Sequence, residues 1–156
     1  MRCVGFGPVY DGDSRVLILG SFPSVKSREI GFYYGNRQNR FWKTVCGFFG
    51  EEIPDSIEGK RAFLLRRRIA LWDVVESCEI VGSADASIKD EVVADIPSLL
   101  NGSKITAIFC NGTKSYSLLA EKFPELLHMT VKLPSTSPAN PRFSAEIWTK
   151  ELERVL

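Results

Sequence analysis

The chain has 156 residues, of which 44% are hydrophobic and 25% are charged, and its formal net charge is +1. These values are ordinary for a globular protein and exclude a disordered chain or a long coiled coil. No apolar stretch reaches the ~18 residues of a membrane-spanning helix, and the N-terminus lacks the apolar core of a signal peptide. We therefore expect a single domain, 1–156, in a cytoplasmic protein.

Apolar runs that predict strands alternate along the chain with segments of helical periodicity. The predicted strands cover residues 15–20, 69–72, 105–110 and 130–133, and the predicted helices cover residues 39–50, 58–68, 90–100, 113–122 and 143–155. Strands separated by helices favour parallel pairing, with helices on both faces of the sheet. The sequence therefore predicts an α/β fold, a three-layer α/β/α domain around a mainly parallel four-stranded sheet.

Polar, turn-forming segments follow all four predicted strands. These are GSFPS (20–24), Asp73, NGTK (111–114) and PSTSPAN (134–140). Each segment alone has the composition of an ordinary turn. Because ligands of open α/β sheets bind outside the carboxyl ends of the strands, the four segments together predict a cleft at one edge.

An aromatic and basic segment, GFYYGNRQNRFW (31–42), adjoins the predicted cleft. Between Lys26 and Lys43 there are five basic residues and one acidic residue. A local basic patch on a nearly neutral protein can hold a polyanion at one face, although a solvated loop also accounts for these charges. The rings suit a flat, uncharged group attached to a phosphate-bearing chain.

The cysteine and histidine residues argue against a metal centre. Cys3, Cys46, Cys78 and Cys110 are dispersed without a CxxC pair, which favours buried free thiols over a zinc site or an iron–sulfur cluster. The single histidine, His128, has no ligand partner nearby, which argues against a metal site and against a Ser-His-Asp hydrolase. We expect His128 to be structural, and we expect no metal, metal cluster or cofactor.

Five segments, spread in order over nearly the whole chain, carry a family resemblance: GSFPS, GFYYGNRQNRFW, LWDVVESCEIVGSADASI, IFCNG and LPSTSPAN. They resemble the uracil-DNA glycosylase superfamily and are most similar to its hypoxanthine-DNA glycosylase branch. The resemblance implies a three-layer α/β/α enzyme that flips a damaged base out of DNA and hydrolyses its N-glycosidic bond. In the hypoxanthine branch the implied substrate is deoxyinosine, the deamination product of deoxyadenosine.

Two positions depart from other branches of that superfamily. Where others carry Asp, Asn or Glu in the first motif, this chain has Phe22, which cannot orient a water molecule. Several branches begin the second motif with His, whereas this chain has Ser135 in the aligned segment. The lack of an imidazole that could stabilise a uracil anion favours a purine leaving group.

The resemblance to the hypoxanthine branch assigns catalysis to the asparagine before RFW, which is Asn39 here. Its carboxamide would aim a water molecule at C1′ of the sugar, giving orientation rather than strong basicity. The same residue could instead only cap the following helix.

We expect the flipped base to stack on Tyr34, with Phe32 and Tyr33 as alternatives that would otherwise pack in the core. Phe22 could cover the opposite face of the base or fill the core, and Ser21 belongs to the same predicted base pocket.

Asn111 ends a predicted strand, where its amide could read a base edge or cap the next helix. For Asp73, holding a loop is favoured over touching substrate. Ser83 and Asp85 are further candidates of the same kind.

The predicted DNA contacts fall in two groups. The loop contacts are Ser135, Thr136, Ser137, Pro138 and Asn140, and the phosphate contacts are Arg37, Arg40 and Lys43. A loop stiffened by prolines can help to force a nucleotide out of the stack, and cations that neutralise phosphates make binding salt-dependent.

No lysine is set up as a Schiff-base nucleophile, which predicts a monofunctional enzyme that uses water and leaves an abasic site. We expect a monomer that acts on double-stranded DNA containing a deaminated base.

Three other functions are compatible with the sequence. The same fold could excise uracil or another lesion such as xanthine. The chain could bind nucleic acid without catalysis, since glycoside hydrolysis usually recruits a carboxylate pair. It could also bind a small ring compound, in which case it would have no affinity for duplex DNA.

Overall fold

Two β-sheets form the frame of the protein in residues 2–156, the part of the chain that the computed structural model describes. The strands are β1 (Arg2–Val4), β2 (Val16–Gly20), β3 (Ile69–Asp73), β4 (Val75–Glu79), β5 (Lys89–Val93), β6 (Ala107–Asn111) and β7 (Thr130–Leu133). The larger sheet is entirely parallel, in the order β3-β2-β6-β7. The smaller sheet is antiparallel, in the order β1-β4-β5.

Helices cover both faces of the parallel sheet. They are α1 (Val25–Ile30), α2 (Phe41–Phe48), α3 (Ile57–Arg66), α4 (Ile96–Leu100), α5 (Thr113–Lys122) and α6 (Ala145–Val155), with short 3-10 helices at Asp85–Ser87 and Pro124–Met129. Helices α2, α3 and α6 pack on one face, and α4 and α5 pack on the other together with part of β4. This arrangement is the predicted three-layer α/β/α architecture.

The central strand β2 explains why its sequence is a continuous apolar run. Val16 and Ile18 point into the core on the α2/α3/α6 side, whereas Leu17 and Leu19 point into the core on the opposite side. All four side chains are fully buried. A strand covered on both faces has no solvent side and therefore shows no alternation of polar residues.

The predicted elements agree with the structure except in one segment. The four predicted strands form the parallel sheet, and the predicted helices at 39–50, 58–68, 113–122 and 143–155 are α2, α3, α5 and α6 within a few residues. The predicted helix at 90–100 is wrong, because Lys89–Val93 pairs with β4 as a strand. A helix begins only at Ile96, where the Asp95 side chain accepts a hydrogen bond from Ser98 N and Pro97 occupies the first turn.

The smaller sheet and α1 are absent from the sequence prediction. β1 has three residues and β4 mixes polar with apolar residues, so neither gives a clear period of two. Helix α1 has six residues, and Ser24 caps it by accepting a hydrogen bond from Ser27 N. Short elements of this kind depend on tertiary contacts more than on local pattern.

We predict that Trp148→Ala destabilises the fold by about 3–5 kcal/mol, since a large buried side chain leaves a cavity. Trp148 is fully buried in α6, meets Phe41 edge to face, and donates its indole N–H to Pro134 O at 2.8 Å. Urea unfolding followed by circular dichroism measures the change. The neighbouring Ile147 is 47% exposed, so Ile147→Ala serves as the control and should cost less than about 1 kcal/mol. Equal losses in the two variants would contradict the assigned packing.

Candidate active site

A cavity of about 300 Å³ opens at the carboxyl edge of the parallel sheet. Residues at or just beyond the carboxyl ends of all four strands line the cavity: 20–24 from the end of β2, Asp73 at the end of β3, Asn111 at the end of β6 and 135–139 after β7. The remaining lining residues are Ser27, Tyr33, Tyr34, Asn36, Asn39, Ser83 and Asp85. The predicted convergence of four polar segments on one cleft is therefore confirmed.

Asp73 is a buried carboxyl group in this cavity. Its side chain is 5% exposed, and Oδ2 is fully buried without a hydrogen-bond partner. Burial, with a further contribution from the negative charge of Asp85, raises the pKa of Asp73 to about 7. The sequence favoured a role for Asp73 in holding a loop, but Oδ2 makes no hydrogen bond among the described residues that could hold one.

Gly20 makes the space that the Asp73 carboxyl group occupies. The two residues face each other in the parallel register of β2 and β3. A Cβ atom on residue 20 would lie 2.6 Å from Asp73 Oδ1 and 3.3 Å from the hydroxyl oxygen of Tyr34. The glycine is required here by this close approach and not by a turn.

Tyr34 combines backbone strain with tight packing. Its φ of 55° lies in the left-handed region, which costs a bulky residue about 1–3 kcal/mol. Its ring stacks on Phe41 with centroids 4.1 Å apart. Burial, followed by the nearby Asp73, raises the pKa of Tyr34 well above its ordinary value, so its hydroxyl group stays protonated. Phe41 covers one face of the ring, and Tyr34 also lines the cavity.

The other three aromatic residues predicted near the base, Phe32, Tyr33 and Phe22, differ in their surroundings. Phe32 packs in the core against Trp42 and does not line the cavity. Tyr33 lines the cavity but is 3% exposed and donates its hydroxyl to Gly7 O at 2.8 Å. Phe22 lines the cavity and packs in the other half of the core, so both of its predicted roles are compatible with its position.

Asn111 links three parts of the site. Its Nδ2 donates to the Tyr34 hydroxyl at 3.2 Å and to Thr136 Oγ1 at 3.0 Å. Its Oδ1 accepts from Thr136 N at 2.9 Å. The alternative that this side chain caps α5 is wrong, since Gly112 holds the N-cap position. Its predicted reading of a base edge stays a prediction.

Arg40 fastens the loop of residues 134–140, which we call the SPAN loop. Its guanidinium group donates to Thr136 O at 3.4 Å, to Asn140 O at 2.8 Å and to Ser137 O. The same group lies over the ring of Phe143, 4.5 Å from the centroid. These contacts give Arg40 a positioning role that the sequence did not indicate, where we expected a phosphate contact.

The SPAN loop is also bonded within itself. Asn140 donates to Ser135 O at 2.9 Å, Ser135 Oγ accepts from Ser137 N, and Ser137 Oγ accepts from Ala139 N. Thr136 is 1% exposed and its hydroxyl accepts from Asn111, so it faces the interior, where we expected a DNA contact. Pro138, by contrast, is exposed beside Ala139 at the tip.

Asn39 lines the cavity and also makes the cap-like contact that was its alternative role. Its Oδ1 accepts a hydrogen bond from Phe41 N at 2.9 Å. A carboxamide oxygen has two lone pairs, so one acceptor position is left for a water molecule. The two roles are therefore compatible in geometry, and catalysis by Asn39 stays a prediction.

A second wall of the cavity comes from the 3-10 turn near residue 85. Ser21 Oγ donates to Asp85 Oδ1 at 2.6 Å, and Ser83 Oγ accepts from Val25 N at 2.9 Å. Arg28 adds a hydrogen bond of 2.6 Å to Gly82 O. These contacts hold the turn against the segment that follows β2.

The remaining predicted residues lie outside the cavity. Arg37 and Lys43 are exposed, as phosphate contacts must be. His128 is exposed, and its Nδ1 lies 2.7 Å from Glu125 O. Cys46, Cys78 and Cys110 are buried free thiols, as predicted, and Cys3 is a half-buried one.

Residues 2–156, which the structure describes, contain neither a cluster of metal ligands nor a membrane-spanning helix. Within this range no group of three or more His, Cys, Asp or Glu side chains is placed to hold a metal ion. None of the helices in the same range combines the length and the apolar character that crossing a membrane would require.

Comparison with known proteins identifies the family. Residues 7–152 match the family model of the uracil DNA glycosylase superfamily. The chain belongs to the uracil-DNA glycosylase superfamily. This result confirms the family predicted from the motifs.

Two curated relatives are named hypoxanthine DNA glycosylase. The one from Methanosarcina acetivorans is 41% identical over 90% of this chain and 89% of its own length. The one from Methanosarcina barkeri is 34% identical over 74% of each chain. A solution NMR structure of a candidate uracil DNA glycosylase from Methanosarcina acetivorans superposes with a TM-score of 0.83 at 38% identity, covering 99% of this chain and 98% of that one.

Two features of this superfamily member were missed or undervalued from its sequence. The role of Arg40 depends on carbonyl groups about a hundred residues away, which no local pattern reveals. The burial of Asp73 had a weak signal, namely an acidic residue that directly ends an apolar strand opposite a glycine. Reading Gly20 and Asp73 as a register pair would have found it.

We predict that Gly20→Ala destabilises the protein by about 1–3 kcal/mol, because the new methyl group overlaps Asp73 Oδ1. Thermal unfolding gives the comparison. Gly47→Ala in α2 is the matched control, since a Cβ at residue 47 meets nothing within 4 Å and alanine favours a helix. A Gly20→Ala protein as stable as wild type would contradict the close approach of the carboxyl group.

Proposed function

We propose that the protein is a monofunctional DNA glycosylase that removes hypoxanthine from deoxyinosine in double-stranded DNA and leaves an abasic site. The observation that carries the proposal is the composition of the cavity. It joins three aromatic rings, three asparagine amides, two carboxyl groups and several hydroxyl groups, and none of its lining residues is Lys, Arg or His among those described. Two relatives with this base in their names support the choice of hypoxanthine.

The volume and position of the cavity suit a single flipped base. About 300 Å³ is the lower end of the range for small-ligand pockets. An enzyme that acts on a base in duplex DNA must extrude it from the stack, at a cost of a few kcal/mol that is smaller for a mispaired base. Hypoxanthine opposite thymine pairs poorly, so the duplex itself contributes to selectivity.

Inside the cavity the ring of Tyr34 stacks on the base, and the carboxamides of Asn39 and Asn111 orient the water molecule and the base. Asn39 orients a water molecule toward C1′ through the second lone pair of Oδ1. Asn111 is held by Thr136 and Tyr34, so its orientation is fixed before a base enters. Departure of the base leaves an oxocarbenium-like sugar, and the oriented water adds to it.

Outside the cavity the SPAN loop and two basic residues meet the duplex. The exposed tip at Pro138 and Ala139 is the wedge that fills the space of the flipped nucleotide, and Arg37 and Lys43 neutralise phosphates. One copy of the chain supplies all these groups, which supports action as a monomer. No lysine lines the cavity among the described residues, which supports water as the nucleophile.

The test is cleavage of labelled duplexes that contain one deoxyinosine or one deoxyuridine, with alkali treatment after incubation. We expect wild type to act on deoxyinosine, and Asn39→Ala to lose at least about a hundredfold in rate, since the water is no longer oriented. Asn36→Ala is the control, because Asn36 also lines the cavity and its side-chain oxygen accepts a hydrogen bond from the neighbouring Gln38 N.

Cleavage of deoxyuridine alone would keep the superfamily and overturn the substrate. Binding of DNA without cleavage of either duplex would favour the non-catalytic module, and no affinity for DNA would favour a small-molecule ligand. A covalent DNA adduct trapped by borohydride would contradict the monofunctional mechanism.

We predict that Arg37→Ala weakens binding of duplex DNA, because one phosphate contact is lost. The negative slope of log affinity against log salt should become shallower by about 1. Fluorescence anisotropy at several salt concentrations measures the slope. Lys104→Ala is the control, since Lys104 precedes β6 at the opposite edge of the sheet and pairs with Asp13. Equal slopes for wild type and Arg37→Ala would remove Arg37 from the DNA-binding surface.

A further inference from the structure

The mechanism above leaves one buried polar group of the cavity without a task. Asp73 Oδ2 is the one fully buried side-chain nitrogen or oxygen atom without a hydrogen-bond partner in residues 2–156. Native proteins leave few such atoms, because the desolvation of an unpartnered polar group is unfavourable. Asp73 lines the cavity and keeps 5% of its surface exposed. Its carboxyl group is therefore held beside the space for a ligand, with no internal partner for Oδ2 among the described residues.

The fold keeps this carboxyl group away from positive charge. Its titratable and charged neighbours are Tyr33 and Tyr34 from the segment after α1 and Asp85 from the 3-10 turn. From β6 and the SPAN loop the cavity receives only uncharged side chains, those of Asn111 and residues 135–139. Gly20 on β2 adds no side chain but leaves the space for the carboxyl group.

This environment favours the protonated carboxyl group. Burial disfavours the charged form, and the negative charge of Asp85 disfavours it further, so the pKa of Asp73 rises to about 7. A carboxylic acid that is still protonated near neutral pH can donate a hydrogen bond or a proton. A carboxylate at the same place would repel the negative charge that develops on a departing base.

The reaction needs such a donor. When the C1′–N9 bond of deoxyinosine breaks, its electron pair moves onto the purine ring. The other donors of the cavity are amides and hydroxyl groups, which stabilise that charge but are far weaker acids than a carboxyl group.

We propose that Asp73 is a catalytic acid, whose protonated carboxyl group gives its proton to an acceptor of the purine ring (N3, N7 or O6) as the base departs. The inference rests on the proposed function. The water oriented by Asn39 forms the new C1′–O bond and releases one proton to solvent. The Asp73 carboxylate regains a proton from solvent, so the net reaction consumes one water molecule and yields hypoxanthine and an abasic site.

The experiment is the single-turnover rate on a deoxyinosine duplex between pH 5 and pH 9 for wild type and Asp73→Asn, corrected for enzyme-free depurination. For wild type we expect the rate to fall about tenfold per pH unit above a midpoint near 7. Asp73→Asn retains shape and hydrogen-bond donors but cannot give up a proton at these pH values. We expect it to be about 10²–10⁴-fold slower at pH 6 and to lack the falling limb.

Asp85→Asn provides a second test that leaves Asp73 in place. Removing the neighbouring negative charge lowers the pKa of Asp73, so the falling limb of the rate should move to lower pH. Thermal unfolding at pH 8 checks that Asp73→Asn is folded. Because the raised pKa of Asp73 lowers the stability of wild type as pH rises from about 4 to 7, the variant should melt at the same or a higher temperature.

Three outcomes would overturn the acid role. One is a rate that rises through pH 7 in wild type, as expected for a carboxylate acceptor. The others are a falling limb that survives in Asp73→Asn and an unchanged rate in that variant. Failure of wild type to cleave deoxyinosine at any pH would instead refute the proposed function, whereas cleavage without the falling limb refutes only the role of Asp73.

Discussion

The candidate site depends on the hydrogen bonds of one amide, that of Asn111. This side chain ends the strand β6 and binds both the backbone and the hydroxyl group of Thr136, as well as the hydroxyl group of Tyr34. It thereby fixes the SPAN loop and the aromatic wall relative to the parallel sheet. The left-handed backbone of Tyr34 is maintained at its energetic cost because this bond and the ring of Phe41 hold the residue in place.

Most of the fold could be predicted from the sequence because its main signals are local. The strand β2 is a continuous apolar run, and α6 repeats apolar residues at helical spacing, as Trp148 and Leu152 show. The smaller sheet could not be predicted, since its strands are short and half exposed. The segment 90–100 was predicted as one helix because the apolar residues of β5 and of the short helix α4 together have helical spacing.

The position of the cavity could be predicted from the sequence, but the contacts that its residues make could not. Four strand ends converge by the geometry of parallel sheets, which local pattern is sufficient to predict. The interior position of Thr136 and the bonding of Arg40 arise from contacts between residues far apart in the chain. Asp73 differs again, because the role proposed for it depends on burial without a partner among the described residues, and only the surroundings of a residue can reveal that.

Under the proposed function, the hydrogen bonds that hold the SPAN loop have a consequence for the kinetics of DNA recognition. Arg40 and the bonds within the loop order this segment during folding, so little conformational entropy remains to be lost at the encounter with DNA. In the proposed complex with DNA, a preordered loop would dock as a rigid body, and its association would not be slowed by a search among loop conformations. Loosening the loop would then slow the capture of the lesion even where every contact of the bound state could still form.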